Sequence, residues 1–117
     1  MQLNEVSYEG ATPFEGYGPG FFRIGGQVFE GPVLTDATGP RAWGGLEDLA
    51  PLLDLAGSVD VLFLGTGAEM AQVPQEMRVA LEEAGIGLEP MASPTAARSY
   101  NVVLSEGRRI AAALLPV

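Results

Sequence analysis

The sequence contains no cysteine, no histidine and no lysine, and its six cations are all arginine. Without cysteine there are no disulfides, no thiolate nucleophile and no cysteine-ligated zinc. Without histidine, the usual general base near neutral pH and the commonest metal ligand are gone. Without lysine, a Walker-type phosphate loop and Schiff-base chemistry are excluded. Carboxylates, hydroxyls, tyrosine and arginine are left. No pattern among them assigns a catalytic residue, a metal site or a cofactor, so a protein that is not an enzyme is expected.

Long apolar runs are missing too. No window approaches the roughly 18 uninterrupted apolar residues of a membrane-spanning helix, so insertion in a membrane is not expected. The start, Met1, Gln2, Leu3, Asn4 and Glu5, has neither the basic region nor the apolar stretch of a targeting peptide, which leads to the expectation of a cytoplasmic protein. Fifteen acidic residues against six arginines give a net charge of −9. Phosphate backbones and anionic lipid surfaces demand clustered cations, so neither nucleic acid nor a membrane surface is an expected partner. The acidic excess keeps a small protein soluble, and a basic protein is the remaining charge-driven partner. The 117 residues suit a single domain over residues 1–117, long enough to bury roughly two thirds of its unfolded surface.

What is present divides into an aromatic, glycine-rich first third and an apolar, periodic remainder. Tyr8, Phe14, Tyr17, Phe21, Phe22 and Phe29 stand between turn residues. Gly25 and Gly26 separate two short β-prone runs, 22–24 and 27–29, which predicts an amino-terminal β-hairpin. Val33 and Leu34 end a further strand, with a turn over residues 35–39 before Trp43. From Leu46 the spacing Leu46, Leu49, Ala50, Leu53 and Ala56 predicts a helix that Gly57 ends. Residues 59–64 are nearly all apolar and predict a strand covered on both faces at the centre of a sheet. A second helix starts at Pro74, buries Met77, Ala80, Leu81 and Ala84, and stops at Gly85. Residues 86–91 return as a strand parallel to 59–64, so the two carboxyl ends share one sheet edge. A third helix runs from Ser93, its cap, and Pro94 to Gly107, and residues 109–115 form a final strand.

Open α/β sheets bind ligands at the carboxyl ends of their strands. One end here is Gly65, Thr66 and Gly67; the other is the start of the third helix with Ser93, Thr95, Arg98 and Asn101. Two readings stand. In one, the loop amides, the helix dipole, the hydroxyls and the guanidinium converge on a small anionic ligand, a carboxylate or phosphate, held by a binding protein or turned over by an enzyme. In the other, the glycines make a tight turn, Ser93 caps the helix and Arg98 pairs with Glu69 or Glu106. As a dinucleotide fingerprint the loop fails, because Met70 stands where the third glycine would fall. Tyr100 lies on the apolar stripe and reads as structural, with its hydroxyl satisfied. Glu106, Arg108 and Arg109 read as solvated charges at a helix exit.

Residues 24–26, Trp43, the run 63–67, Pro74 and above all residues 98–114 resemble the Mth-like domain family of small bacterial, archaeal and mitochondrial proteins. That family includes the mitochondrial complex I assembly factor three and the adipogenesis-associated Mth-like domain protein. The resemblance covers nearly the whole chain. It implies a compact three-layer α/β domain with a mixed, partly parallel central sheet, an amino-terminal β-hairpin and about three helices. It also implies a binding or assembly-helper protein with a protein partner, in the biogenesis of a membrane or respiratory complex. Family members usually carry Thr then Gly where this chain has Ser93 and Pro94, and often Cys at Ala97. The first exchange keeps a hydroxyl but stiffens the loop; the second removes any thiol role.

Overall fold

A computed structural model describes residues 12–117; Tyr8 and the residues read for a targeting signal lie outside them. Phe14–Gly18 (β1) pairs antiparallel with Phe21–Ile24 (β2), and β2 with Gln27–Glu30 (β3), giving a three-stranded sheet in the order β1-β2-β3. The predicted hairpin is β2-β3. Gly25 and Gly26 take φ of +59° and +81°, the pair of positive dihedrals that a hairpin turn of matching twist requires. Between Phe14 and Gly16 the β1-β2 register slips by one residue, a bulge at Glu15.

The chain then builds a five-stranded mixed sheet. Val33–Asp36 (β4), Gly39–Ala42 (β5), Val61–Gly65 (β6), Gly87–Met91 (β7) and Ile110–Leu114 (β8) lie in the order β5-β4-β8-β6-β7. β6, β7 and β8 are parallel, whereas β4 runs antiparallel to β5 and β8. Three helices join them: Ala50–Leu53 (α1), Gln75–Glu83 (α2) and Ser93–Leu104 (α3).

Two apolar layers lie on either side of this sheet. Leu34, Leu62, Leu64, Ala111 and Ala113 pack with Leu52, Met77, Leu81 and Ile86 on the α1 and α2 side. Phe63, Ile110, Ala112 and Leu114 pack with Ala96, Tyr100 and Leu104 of α3 and with Phe14, Phe22 and Ile24 of the smaller sheet. Every residue of β8 is buried, because its neighbours β4 and β6 shield both edges while the helices and the small sheet cover both faces. Of its alanines, Ala112 leaves room for α3, which packs across β6 and β8.

Three expectations are corrected in detail. The central strand is β8; β6, assigned to the centre from its apolar run, is its neighbour. The turn assigned to residues 35–39 contributes two residues to β4, and a strand, β5, follows it: Thr35 pairs with Pro40 and with Ala112. The helix expected from Leu46 is only Ala50–Leu53. Pro51 has no amide to donate, and the chain beyond Leu53 tightens into i→i+3 bonds, with Leu55 N–H on Leu52 O and Ala56 N–H on Leu53 O, both at 3.1 Å. Leu46 and Leu49 still reach the core, from irregular backbone.

The turn between β4 and β5 is closed by Asp36. Its carboxylate accepts Thr38 N–H at 2.9 Å, Thr38 Oγ1 at 2.6 Å and both Arg41 amino groups at 3.0 and 3.2 Å. Burial pulls this carboxyl upward, but the Arg41 guanidinium with the Thr38 hydroxyl and amide outweigh it, so the net position is below the ordinary 3.8. The folded state therefore holds stability that is fully present above pH 3.8 and lost as pH falls through the lower folded value. Urea titrations from neutral pH down to about 2 should show Asp36→Asn destabilised by about 1–2 kcal/mol at neutral pH. They should also show a shallower acid loss than in the wild type.

Candidate functional site

The carboxyl ends of β8, β6 and β7 gather at one edge, with Gly65 in register with both Leu114 and Met91. There the loop, the start of α3 and the segment after β8 are laced together. Gly67 N–H donates to Ser93 Oγ at 2.9 Å, and Ser93 Oγ donates to Leu115 O at 2.6 Å. Ser93 N–H donates to Gly67 O at 2.8 Å, and Leu115 N–H to Gly65 O at 2.9 Å. Thr66 N–H donates to Met91 O at 2.9 Å. Its hydroxyl donates to Glu69 O and accepts Ala71 N–H, both at 2.9 Å.

Ser93 is fully buried and makes no capping bond; Ala92 holds the cap position of α3. The expected cap therefore serves as a bridge instead, because α3 begins so close to β6 that the hydroxyl faces the loop rather than the first helical turn. The amides of Thr66 and Gly67, which one of the two readings aimed at an anion, are spent within the protein. Gly67, at φ +107°, gives the tight turn its left-handed backbone.

The other expected residues lie elsewhere on α3. Thr95 and Arg98 are exposed, with Arg98 Nη2 donating to Thr95 Oγ1 at 3.4 Å. The ion pairs among the described residues are Arg41 with Asp36, Arg78 with Glu82 and Arg109 with Asp60, so neither Glu69 nor Glu106 pairs with Arg98. Asn101 turns toward β1: its Oδ1 accepts Phe14 N–H and its Nδ2 donates to Phe14 O, each at 2.8 Å. Between α3 and β1 runs a groove of about 230 Å³ lined by Phe14, Tyr17, Pro94, Ala97, Arg98 and Asn101, together with Glu15 and Gly16. The structure thus brings Arg98 and Asn101 into one groove, and places Gly65, Thr66, Gly67 and Ser93 in a separate internal lattice.

Tyr100 points inward, its ring edge-on to Phe14 at 5.7 Å between centroids. Its hydroxyl lies near enough to Thr35 for the threonine to favour the ionised form, yet neither oxygen meets a partner at hydrogen-bond distance and angle. The expectation of a satisfied hydroxyl is not met, because α3 presents this ring to an apolar layer in which Thr35 is the nearby polar side chain. Burial first, with the Asp36 charge adding to it, pushes the phenol up to about 12.

Glu106 and Arg108 are exposed beyond α3. The neighbouring Arg109 does the tying: it pairs with Asp60 at 2.8 Å and donates to Gly57 O at 3.1 Å, clamping the entry of β8 to that of β6. Among the described residues no three acidic side chains gather as a metal site, and no helix is long and apolar enough to cross a membrane. Sequence reasoning missed Asp36, Arg41 and the role of Phe14, and read Arg109 as solvated where it is tied to Asp60 and Gly57. Only the first carried a local signal, an aspartate two residues before a threonine in a turn.

A mixed sheet with a three-stranded sheet and α3 on one face and two shorter helices on the other defines the class, the Mth938-like α/β domain. The chain belongs to the protein family of unknown function DUF498/DUF598, whose model matches residues 14–115. It is 51% identical over 117 residues to an uncharacterised protein of Rhodobacter capsulatus, covering all of this chain and 94% of that one. It is 32% identical to the NADH dehydrogenase [ubiquinone] 1 alpha subcomplex assembly factor 3 of Danio rerio, over 99% of this chain and 71% of the relative. A solution structure of a Mth938-like domain from Bordetella pertussis superposes with a TM-score of 0.78 at 25% identity, covering 99% of this chain and 92% of that one.

Proposed function

We propose that this chain is a non-enzymatic assembly helper that works from the cytoplasm and binds a protein component of a respiratory or other membrane complex. The observation that carries the reading is where the polar groups go. At the strand ends, where an α/β enzyme would hold its substrate, the Thr66 amide donates to Met91 O, the Gly67 amide to the Ser93 hydroxyl, and that hydroxyl to Leu115 O. Accessible polar and apolar groups, Arg98 and Asn101 with Tyr17 and Pro94, line an open groove between β1 and α3, a surface suited to a polypeptide. The relative in Danio rerio, named as an assembly factor of NADH dehydrogenase, supplies the class of complex.

Deleting the gene in its own organism tests this. Membranes of the deletion strain should contain less assembled NADH dehydrogenase on a native gel and show lower NADH oxidation, both restored by the wild-type chain. Unchanged assembly and unchanged oxidation would falsify the proposal.

A further inference from the structure

Among the described residues, the three-stranded sheet has an edge, β1, along which no further strand pairs. In a two-residue hairpin the residues flanking the turn exchange hydrogen bonds, so Ile24 directs its backbone groups at β3. Alternation turns Arg23 and Phe21 toward β1, where they meet Gly16 and Gly18. Tyr17, between those two, therefore directs its N–H and C=O away from β2. Across the bulge Phe14 does the same, and there the Asn101 carboxamide takes both groups as a neighbouring strand would. Tyr17 has no corresponding backbone partner among the described residues.

The other edges are managed differently. β5 and β7, at the ends of the five-stranded sheet, carry Pro40 and Pro90, residues that blunt an edge against further pairing. β3 abuts β5. β1 carries neither proline nor lysine, and among the described residues a Cβ added at Gly16 would meet nothing within 4 Å, whereas at Gly18 the Phe21 ring covers the strand. Its flank is the groove, with Pro94 and Ala97 as an apolar wall and the half-exposed Tyr17 ring at the rim.

Charge narrows the occupant. Arg98 faces this groove from α3, and no carboxylate among the described residues pairs with it. The Glu15 carboxylate, the other charge there, is engaged by Gly26 N–H at 3.0 Å. The net charge of −9 repels a segment that is acidic throughout. A neutral β-prone segment with one carboxylate opposite Arg98 fits both conditions.

We propose, resting on the assembly-helper reading above, that the partner binds by strand addition. An extended segment lies in the groove between β1 and α3, exchanges backbone hydrogen bonds with Tyr17, and sets one acidic side chain on the Arg98 guanidinium.

The test is selection of a random dodecapeptide display library on the intact chain, followed by titration of the enriched peptides. Enriched sequences should alternate apolar and polar residues around a single Asp or Glu. Their binding should protect the Tyr17 amide from hydrogen exchange and weaken at least about tenfold on Arg98→Glu. A peptide with Lys in place of the carboxylate should regain affinity for the Arg98→Glu variant. Tyr17→Pro, which deletes the outward N–H, should also abolish binding; if it lowers the melting temperature, the Arg98 charge exchange decides instead. Enrichment of helical peptides, failure to enrich any peptide, binding indifferent to Arg98→Glu, or occupation of the edge by a second copy of the chain in sedimentation would each overturn strand addition. The deletion strain separates this failure from failure of the wider reading. If the chain is needed for assembly but Arg98→Glu and a folded Tyr17→Pro restore it fully, strand addition at β1 falls and the helper role stands.

Discussion

Gly65→Ala should cost about 3 kcal/mol of unfolding free energy, at the upper end for overpacking a close approach. An added Cβ there would stand 2.6 Å from Ser93 Oγ and 2.8 Å from both Leu114 Cγ and Ser93 Cα. The hydroxyl could rotate, but the Ser93 backbone is fixed by its own bond to Gly67 O and Leu114 is fully buried in the middle strand. Relief therefore requires α3 to lift from β6, which breaks the Gly67–Ser93–Leu115 lattice. Gly16→Ala is the control, since its Cβ meets nothing within 4 Å; it should stay within about 0.5 kcal/mol of wild type. Urea denaturation of the two variants side by side checks the difference. Equal stabilities would show that the start of α3 yields more easily than its contacts imply.

Tyr100→Ala should cost about 4 kcal/mol, because it empties a fully buried aromatic site wedged against Phe14. Tyr100→Phe should behave in the opposite way. The hydroxyl and that of Thr35 are both buried without a partner, so removing one leaves the ring packing intact and relieves a desolvated polar group. Phe at this position should match or exceed wild-type stability, and adding Thr35→Val should not reverse the gain. An alkaline titration gives an independent check. Burial raises this phenol from 10.0 to about 12, so the stability present below pH 10 is lost as pH rises through the folded value. Tyr100→Phe should remove its share of that slope. Should Tyr100→Phe instead lose more than about 1 kcal/mol, the hydroxyl has a partner, and an ordered water joining it to Thr35 becomes the first candidate.

Much of the architecture is legible in local patterns. Two glycines between β-prone runs announce the β2-β3 hairpin, and the apolar run at 59–64 with the helical spacing after Pro74 announces the parallel β6-β7 unit. What escapes is decided by partners distant in sequence. β5 contains Gly39 and Pro40, residues that discourage a strand, and is held in place by its pairing with β4. The region from Leu46 has helical spacing, but its leucines reach the core without a continuous helix. The site divides in the same way. Ser93 and Asn101 are conspicuous as hydroxyl and amide on the start and middle of a helix. Their partners, Leu115 at a separation of 22 residues and Phe14 at 87, are invisible to any local rule. A serine ahead of a proline looks like a cap, and only the close approach of Gly65 turns it into a buried bridge.

The place of β8 has a consequence for how the molecule is made. It follows every other strand in the chain, yet it is the one that joins β4 to β6. Until it is synthesised, the antiparallel pair β4-β5 and the parallel pair β6-β7 each present a bare inner edge, and no strand pairing unites them. Vectorial synthesis thus exposes two unsealed half-sheets before one strand closes both at once, which concentrates the risk of misassembly in the nascent chain.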